Sequence, residues 1–380
     1  MASMALLETT LGLLLAAGTT QFQAEAPVRS AAPARSSAAA EEELGSTRNA
    51  RVALPGAAQE KEIVYVAGDV ARERLDELRR IAPHLRVVSN PTPEEALALA
   101  PETRGIDARF ATPDFLSRAT RLVWVQAMSA GVERLVAQPA IAEKDAVVLT
   151  NLRGVHGPAI ADHAFAMLLA LTRDLRPRLE AQSGARWARE GSGARPVALE
   201  GKTMLVVGLG GIGREVAERA RGFGMKVIAT RRSSAPAPAW VEEIGKPEEL
   251  LRLLPRADVV VICVPLTKET ENLFDERAFR AMKRGSFLIN VARGRIVDHQ
   301  ALVRALQDRR LAGAGLDVTH PEPLPRESPL WAMANVVITP HVAGRAEITD
   351  ERAWALLREN LRRFAAGEPL LNVVDKKAGY

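Results

Sequence analysis

The feature that most constrains this chain is a run of six residues. Gly208-Leu209-Gly210-Gly211-Ile212-Gly213 stands between an apolar run, Met204–Val207, and an amphipathic stretch, Ile212–Arg221. A strand must turn sharply into a helix here, and the glycines at this spacing serve distinct physical ends. Gly208 permits the tight turn, Gly210 lets backbone N–H groups approach an anion, and Gly213 lets helix and strand pack closely. The helix begun by Gly211 and Ile212 adds positive potential at its N-terminus, so the loop suits the pyrophosphate of a dinucleotide.

Around this loop, short apolar runs alternate with amphipathic helical stretches, the pattern of parallel sheet. Met204–Val207, Val227–Ala229, Val259–Val264, Phe287–Asn290, Gly313–Asp317 and Val336–Ile338 read as six strands of one doubly wound sheet. Before it, Ile63–Val66, Leu85–Val88, Leu122–Gln126 and Val147–Thr150 form a first strand series. Pro158–Leu175 reads as a long, mostly apolar helix, and Gly184–Leu199 as a polar connection containing Trp187. The helix Glu351–Phe364 and the tail Leu370–Asp375 lie beyond both series and are expected to pack back on the first domain.

The 380 residues suffice for two domains, and 47% hydrophobic with 26% charged residues excludes a wholly disordered chain. The net charge of +5 is spread over pairs such as Arg79-Arg80 and Arg309-Arg310, with no stripe or finger spacing, so no nucleic-acid partner is expected. Residues 1–60 differ from the rest, with an apolar patch at Leu11–Ala17, an Ala/Ser/Pro-rich stretch and Glu41-Glu42-Glu43, and are expected to be loosely ordered. Glu8 and the lack of Lys or Arg before the patch argue against a secretory signal, which favours a cytoplasmic protein over an exported one. The patch is too short to span a bilayer, so no membrane integration is expected. Cys263, the one cysteine, can form neither an internal disulfide nor a thiolate cluster; among Val261, Ile262 and Val264 it is expected to be buried, and no metal site is expected.

About 20 residues beyond such a loop, an acid commonly accepts hydrogen bonds from the adenosine ribose. Here Val227–Thr230 runs into Arg231-Arg232-Ser233 instead. A guanidinium in that place pairs with a 2′-phosphate, and Ser233 adds a donor, so NADP(H) is the favoured cofactor with NAD(H) as the alternative.

Three segments further on carry chemistry: Asn290-Val291-Ala292-Arg293-Gly294, Asp317-Val318-Thr319-His320-Pro321-Glu322, and Thr339-Pro340-His341-Val342-Ala343-Gly344. Each follows a predicted strand, at the carboxyl edge where α/β ligands collect. Reduction of a 2-oxo acid needs a cation on the carboxylate and carbonyl, and an acid for the nascent alkoxide. Arg293 suits the first role, His341 the second, and Glu322 would orient the His341 ring. Asp317 points to the same edge, where it could meet a nicotinamide carboxamide, whereas His156 and His163 read as structural.

These segments closely resemble the D-isomer-specific 2-hydroxyacid dehydrogenase family, from about Lys61 to Asp375. The resemblance implies an α/β fold of two Rossmann-like domains. A doubly wound parallel-sheet cofactor domain, residues 155–344, is inserted in a flavodoxin-like substrate domain formed by 61–154 and 345–380. It also implies an active site in the cleft and a homodimer. By the same resemblance, Ser129, Ala130 and Gly131 belong to the loop whose backbone amides face the substrate carboxylate. Val264 and Pro265 through Thr270 resemble the family's adenine-side loop, and Val291, Ala292 and Gly344 flank the cofactor. The helix with Ala161-Asp162-His163 resembles its interdomain helix, with Asp162 where Glu is commoner.

Arg231 stands where Asp is commoner, and such arginine-plus-serine loops resemble the NADP-dependent glyoxylate and hydroxypyruvate reductase branch. The implied activity is hydride transfer from NADPH to a small 2-oxo acid, giving the D-2-hydroxy acid. Two other branches are alternatives: formate or phosphite oxidation, opposed by Glu322 where the formate branch has Gln, and a dinucleotide-sensing, corepressor-like binding protein.

Overall fold

The computed structural model describes residues 62–379 apart from 190, 192–194 and 235–237. The loosely ordered extension expected over 1–60, with its apolar patch, lies outside the described residues.

Five strands, β1 (Ile63–Ala67), β2 (Leu85–Ser89), β3 (Thr103–Asp107), β4 (Trp124–Gln126) and β5 (Val148–Thr150), form a parallel sheet ordered β2-β1-β3-β4-β5. Seven more, β6 (Thr203–Val207), β7 (Lys226–Thr230), β8 (Glu243–Gly245), β9 (Val259–Ile262), β10 (Ser286–Asn290), β11 (Leu311–Leu316) and β12 (Val336–Ile338), form a second one. Its order is β12-β11-β10-β9-β6-β7-β8, also all parallel. The direction of strand order reverses between β6 and β9, which puts the glycine loop at a topological switch point. Central strands such as β1 and β9 are buried along their whole length, as sheets covered by helices on both faces require. Two Rossmann-like domains result.

Two strands escape the sequence reading. The sequence of β3, Thr-Arg-Gly-Ile-Asp, reads as polar, yet all five residues are buried. Gly105 is needed because a Cβ there would lie 2.7 Å from the Tyr65 ring and 3.1 Å from Trp124. The three residues of β8 add a seventh, edge strand where six were expected. The helix expected over Pro158–Leu175 runs over Gly157–Thr172 and breaks at Asp174, which has φ 52°, before a separate helix, Leu175–Ser183. The strand expected to reach Val264 ends at Ile262, and Cys263 is half-buried rather than buried.

The helix Gly157–Thr172 packs Ala161, Ala164, Phe165 and Leu168 into the core beneath the glycine-loop helix Gly211–Gly222. Asp162 ties the two together, its Oδ1 accepting from Arg219 Nε at 2.6 Å. At the other end of the chain the helix Glu347–Ala366 returns to the five-stranded sheet. Phe364 packs on Trp124 with ring centroids 4.9 Å apart, and Trp124 on Tyr65 at 5.0 Å. Buried Asn360 donates to Gln126 Oε1 at 3.3 Å and accepts from the Leu371 N–H at 2.8 Å. Val373 then bridges Thr150 in antiparallel fashion, so the tail packs on the first domain as expected.

Candidate active site

The glycine loop is closed on its inner side and open on its outer side. Gly208 has φ +98°, and a Cβ there would meet Val264 Cγ1 at 2.7 Å. At Gly213 a Cβ would fall 2.1 Å from the Gly208 carbonyl oxygen, so the helix begins as close to the strand as backbone allows. At Gly210, by contrast, a Cβ would meet nothing within 4 Å. That open cradle at the N-terminus of a twelve-residue helix fits a dinucleotide pyrophosphate. The loop is anchored to β7 by the N–H groups of Gly208 and Leu209, which donate to the Thr230 carbonyl at 3.2 and 2.9 Å. Gly211 is exposed at the helix start, while Ile212 is half-buried against the core.

Just past Thr230, the Arg231 Nε donates to the Ser233 carbonyl at 3.1 Å. Arg231 is half-buried, and burial followed by the neighbouring charge of Arg214 draws its guanidinium below the ordinary arginine value. Lys246 Nζ donates to the Arg232 carbonyl at 3.3 Å. Arg214 and Lys246 thus join Arg231 and Arg232, and the sequence reading missed both. Arg214 directly follows Gly213, which was the available signal; Lys246 comes from the unforeseen β8 region. On the facing loop the Thr270 hydroxyl donates to the Pro265 carbonyl at 2.7 Å and accepts from the Thr267 N–H at 2.8 Å, fixing that loop's shape. Glu269 on this loop is held below the usual carboxylate range, chiefly by a hydrogen bond from Thr267, with a contribution from the charge of Arg232. Desolvation pushes the Cys263 thiol beside this loop up to about 12, so it carries no thiolate at neutral pH.

Arg293, Asp317 and His341 all leave the carboxyl edge of the second sheet, after β10, β11 and β12. Buried Asn290 clamps the first turn: its Oδ1 accepts from the Ala292 N–H at 3.0 Å and its Nδ2 donates to the Arg293 carbonyl at 3.0 Å. Val291 and Ala292 are buried in this turn. Gly294 presses on the neighbouring loop, where a Cβ would lie 1.9 Å from the Thr319 carbonyl oxygen. Asp317, 3% exposed, organises the His341 turn. Its Oδ1 accepts from Thr339 Oγ1 at 2.6 Å and the Val342 N–H at 2.9 Å, and its Oδ2 from the Ala343 N–H at 3.0 Å. Its carbonyl accepts from the His341 N–H at 2.8 Å, which holds His341 at φ 56°.

His341 Nδ1 lies 2.7 Å from Glu322 Oε1, the contact read from the sequence, and both side chains are exposed. His163 sits behind this pair, its Nε2 2.9 Å from Thr339 Oγ1. Gly344 packs against His156; a Cβ at Gly344 would be 3.0 Å from His156 Cδ2.

The loop after β4 faces Arg293. Ser129 Oγ donates to the Gly131 carbonyl at 2.7 Å, and Asn151 Nδ2 to the Ala130 carbonyl at 2.8 Å. Arg293 reaches this loop and pairs with Glu133, Nε to Oε1 at 3.0 Å. Glu133 is a third residue the sequence reading missed, although it stands two positions after Gly131. Among the described residues no group of three or more His, Cys, Asp or Glu is placed to hold a metal, and no helix is long and apolar enough to cross a membrane.

Residues 165–343 match the model of the D-isomer specific 2-hydroxyacid dehydrogenase NAD-binding domain. A glyoxylate reductase of Thermococcus litoralis is 37% identical over 272 residues, covering 69% of this chain and 80% of the relative. The chain belongs to the D-isomer specific 2-hydroxyacid dehydrogenase family. It is an NAD(P)-dependent dehydrogenase. A solved dehydrogenase of this family from Xanthobacter autotrophicus, in complex with NADPH and MES, is 31% identical with a TM-score of 0.70, covering 84% of this chain and all (100%) of that one. A solved NADPH-dependent glyoxylate/hydroxypyruvate reductase from Sinorhizobium meliloti, in complex with NADP and sulfate, is 28% identical with a TM-score of 0.69 over 84% of this chain and 100% of its own.

In this dehydrogenase the glycine loop separates binding from folding. Gly210→Ala, with open space for its methyl group, is expected to keep the melting temperature and weaken dinucleotide binding at least tenfold. Gly213→Ala is expected to lower both, because its methyl group meets backbone. Thermal melts with dinucleotide titrations check the pair.

Proposed function

We propose that this dehydrogenase is an NADPH-dependent reductase of small 2-oxo acids, with glyoxylate and hydroxypyruvate as substrates, giving the 2-hydroxy acid, of D configuration wherever the product carbon is a stereocentre. The observation that carries the reading is the 2.7 Å contact of His341 Nδ1 with Glu322 Oε1, which leaves Nε2 to carry the transferred proton. When bound, the nicotinamide supplies the hydride. Arg293 holds the substrate carboxylate and polarises the carbonyl, with the backbone of Ser129, Ala130 and Gly131 on the carboxylate's other side. Glu322 fixes the imidazole, and His341 delivers its proton to the alkoxide oxygen. Asp317 Oδ2, which accepts a hydrogen bond from Ala343, is assigned to the nicotinamide carboxamide, beside Val291, Ala292 and Gly344.

The preference for NADPH is supported by Arg231, Arg232 and Ser233 at the end of β7, reinforced by Arg214 and Lys246. Two solved relatives carry NADPH or NADP in their complexes. We assign residues 61–154 and 345–380 to substrate and 155–344 to the dinucleotide. A homodimer is inferred from apolar surface on and after the helix Leu175–Ser183: Leu179 is 59% exposed and Trp187 94%.

Initial rates of NADPH and NADH oxidation with glyoxylate, hydroxypyruvate, pyruvate and phenylpyruvate test the reading. Fast NADPH-linked turnover of the first two is expected, and no turnover with any acid would sink it. Arg231→Asp is expected to weaken NADPH at least tenfold more than NADH; equal effects would remove the phosphate assignment. His341→Ala is expected to lower kcat by about 10²-fold or more with dinucleotide affinity unchanged. Sedimentation at twice the 41.1 kDa chain mass is expected for the dimer.

A further inference from the structure

We propose that Glu133 is a positioning residue that holds the Arg293 guanidinium in the pose that receives a substrate carboxylate. The proposal rests on the reading of Arg293 as the carboxylate anchor. Arg293 leaves the seven-stranded sheet, whereas Glu133 heads a short helix, Glu133–Val136, behind the loop of the five-stranded sheet. They lie 160 positions apart in the chain and meet across the domains.

The guanidinium is held on three sides. Its Nε donates to Glu133 Oε1 at 3.0 Å, and its Nη1 to the Ala292 carbonyl at 2.7 Å. Its Nη2 lies against Gly131, where a Cβ would stand 1.7 Å from Nη2 and 2.7 Å from Glu133 Oε2. Gly131 therefore leaves room for the anchor, and Glu133 sets its plane. The remaining N–H groups, on Nη1 and Nη2, are left for the substrate.

An arginine side chain loses much rotamer freedom when it is immobilised, and a group fixed before binding does not incur that cost on binding. The same fixing matters for catalysis, because one guanidinium must meet a carboxylate and a carbonyl oxygen together. The Glu133 and Arg293 side chains are 36% and 30% exposed, so the contact is partly screened and its role is orientation more than stability.

The test uses Glu133→Ala, Glu133→Gln, Arg293→Ala and the Glu133→Ala/Arg293→Ala double variant, each checked by its thermal melt. Two readouts are taken: steady-state reduction of glyoxylate, and calorimetric binding of oxamate, an unreactive amide isostere of a 2-oxo acid, to the enzyme saturated with NADPH. Glu133→Ala is expected to weaken oxamate about tenfold, to raise the KM for glyoxylate and to lower kcat. Glu133→Gln, which keeps an acceptor for Nε, is expected to recover part of the loss. In the Arg293→Ala background the loss of Glu133 is expected to change nothing, because a positioning residue acts only through what it positions. Tighter oxamate binding by Glu133→Ala would overturn the proposal and make the pair a latch that the substrate must displace. An equal loss with and without Arg293 would overturn it in favour of a general effect on the loop. Unchanged binding, or no oxamate binding by the wild-type enzyme, would overturn it as well. If the wild-type enzyme binds oxamate without reducing glyoxylate, the substrate reading fails while the binding cycle still decides Glu133.

Discussion

The carboxyl edge of the seven-stranded sheet hangs on one buried carboxylate. Asp317 accepts from Thr339, Val342 and Ala343 through its side chain and from His341 through its carbonyl. An unpaired carboxylate at this depth would cost several kcal/mol, and hydrogen bonds to a charged acceptor offset it by about 1.5–3 kcal/mol each. The compensation is available only when the turn after β12 folds back over the end of β11. The carboxylate and carbonyl of Asp317 together therefore hold the turn in which His341 has its left-handed backbone and its imidazole meets Glu322. His163 reaches the same cluster from the helix Gly157–Thr172 through Thr339, so that helix and the His341 turn share one polar anchor.

The second constraint is the return of the chain. The helix Glu347–Ala366 buries Phe364 against Trp124 and Tyr65, and Asn360 satisfies the tail that follows. This closes the five-stranded domain from both chain ends and brings the loop Ser129–Val132 opposite Arg293. In the proposed function neither sheet holds the site alone. One contributes the arginine, the imidazole and the glycine loop, and the other contributes the loop and acid that face the arginine.

Much of the site was legible because its residues lie just beyond strands that their own apolar patterns announce. Gly208, Gly213, Arg293, Glu322 and His341 all read correctly as to place, and the His341–Glu322 contact followed from chemistry and order along the chain. What escaped was polar or short. The strand β3 carries Thr, Arg, Gly and Asp into a buried position, where its neighbours rather than its own hydropathy determine burial. The edge strand β8 is three residues long, too short for alternation to register. Arg214 and Glu133 sit beside recognised motifs, yet what each adds depends on a residue that only the fold brings near, the neighbouring charge of Arg231 for one and the guanidinium of Arg293 for the other.

The sequence by itself determined the two parallel sheets, the glycine loop between strand and helix, and the order in which the arginine, acid and histidine follow their strands. Each of these depends on local periodicity, turn chemistry and order along the chain, which sequence carries directly. Only the tertiary structure decided what each side chain meets: the clamp of Asp317 on the His341 turn, the charges around Arg231, and the pairing of Glu133 with Arg293. Those contacts join positions far apart in the chain. Hydrogen bonds and ion pairs of a few ångströms depend on how the domains pack, and spacing along the backbone does not encode that distance.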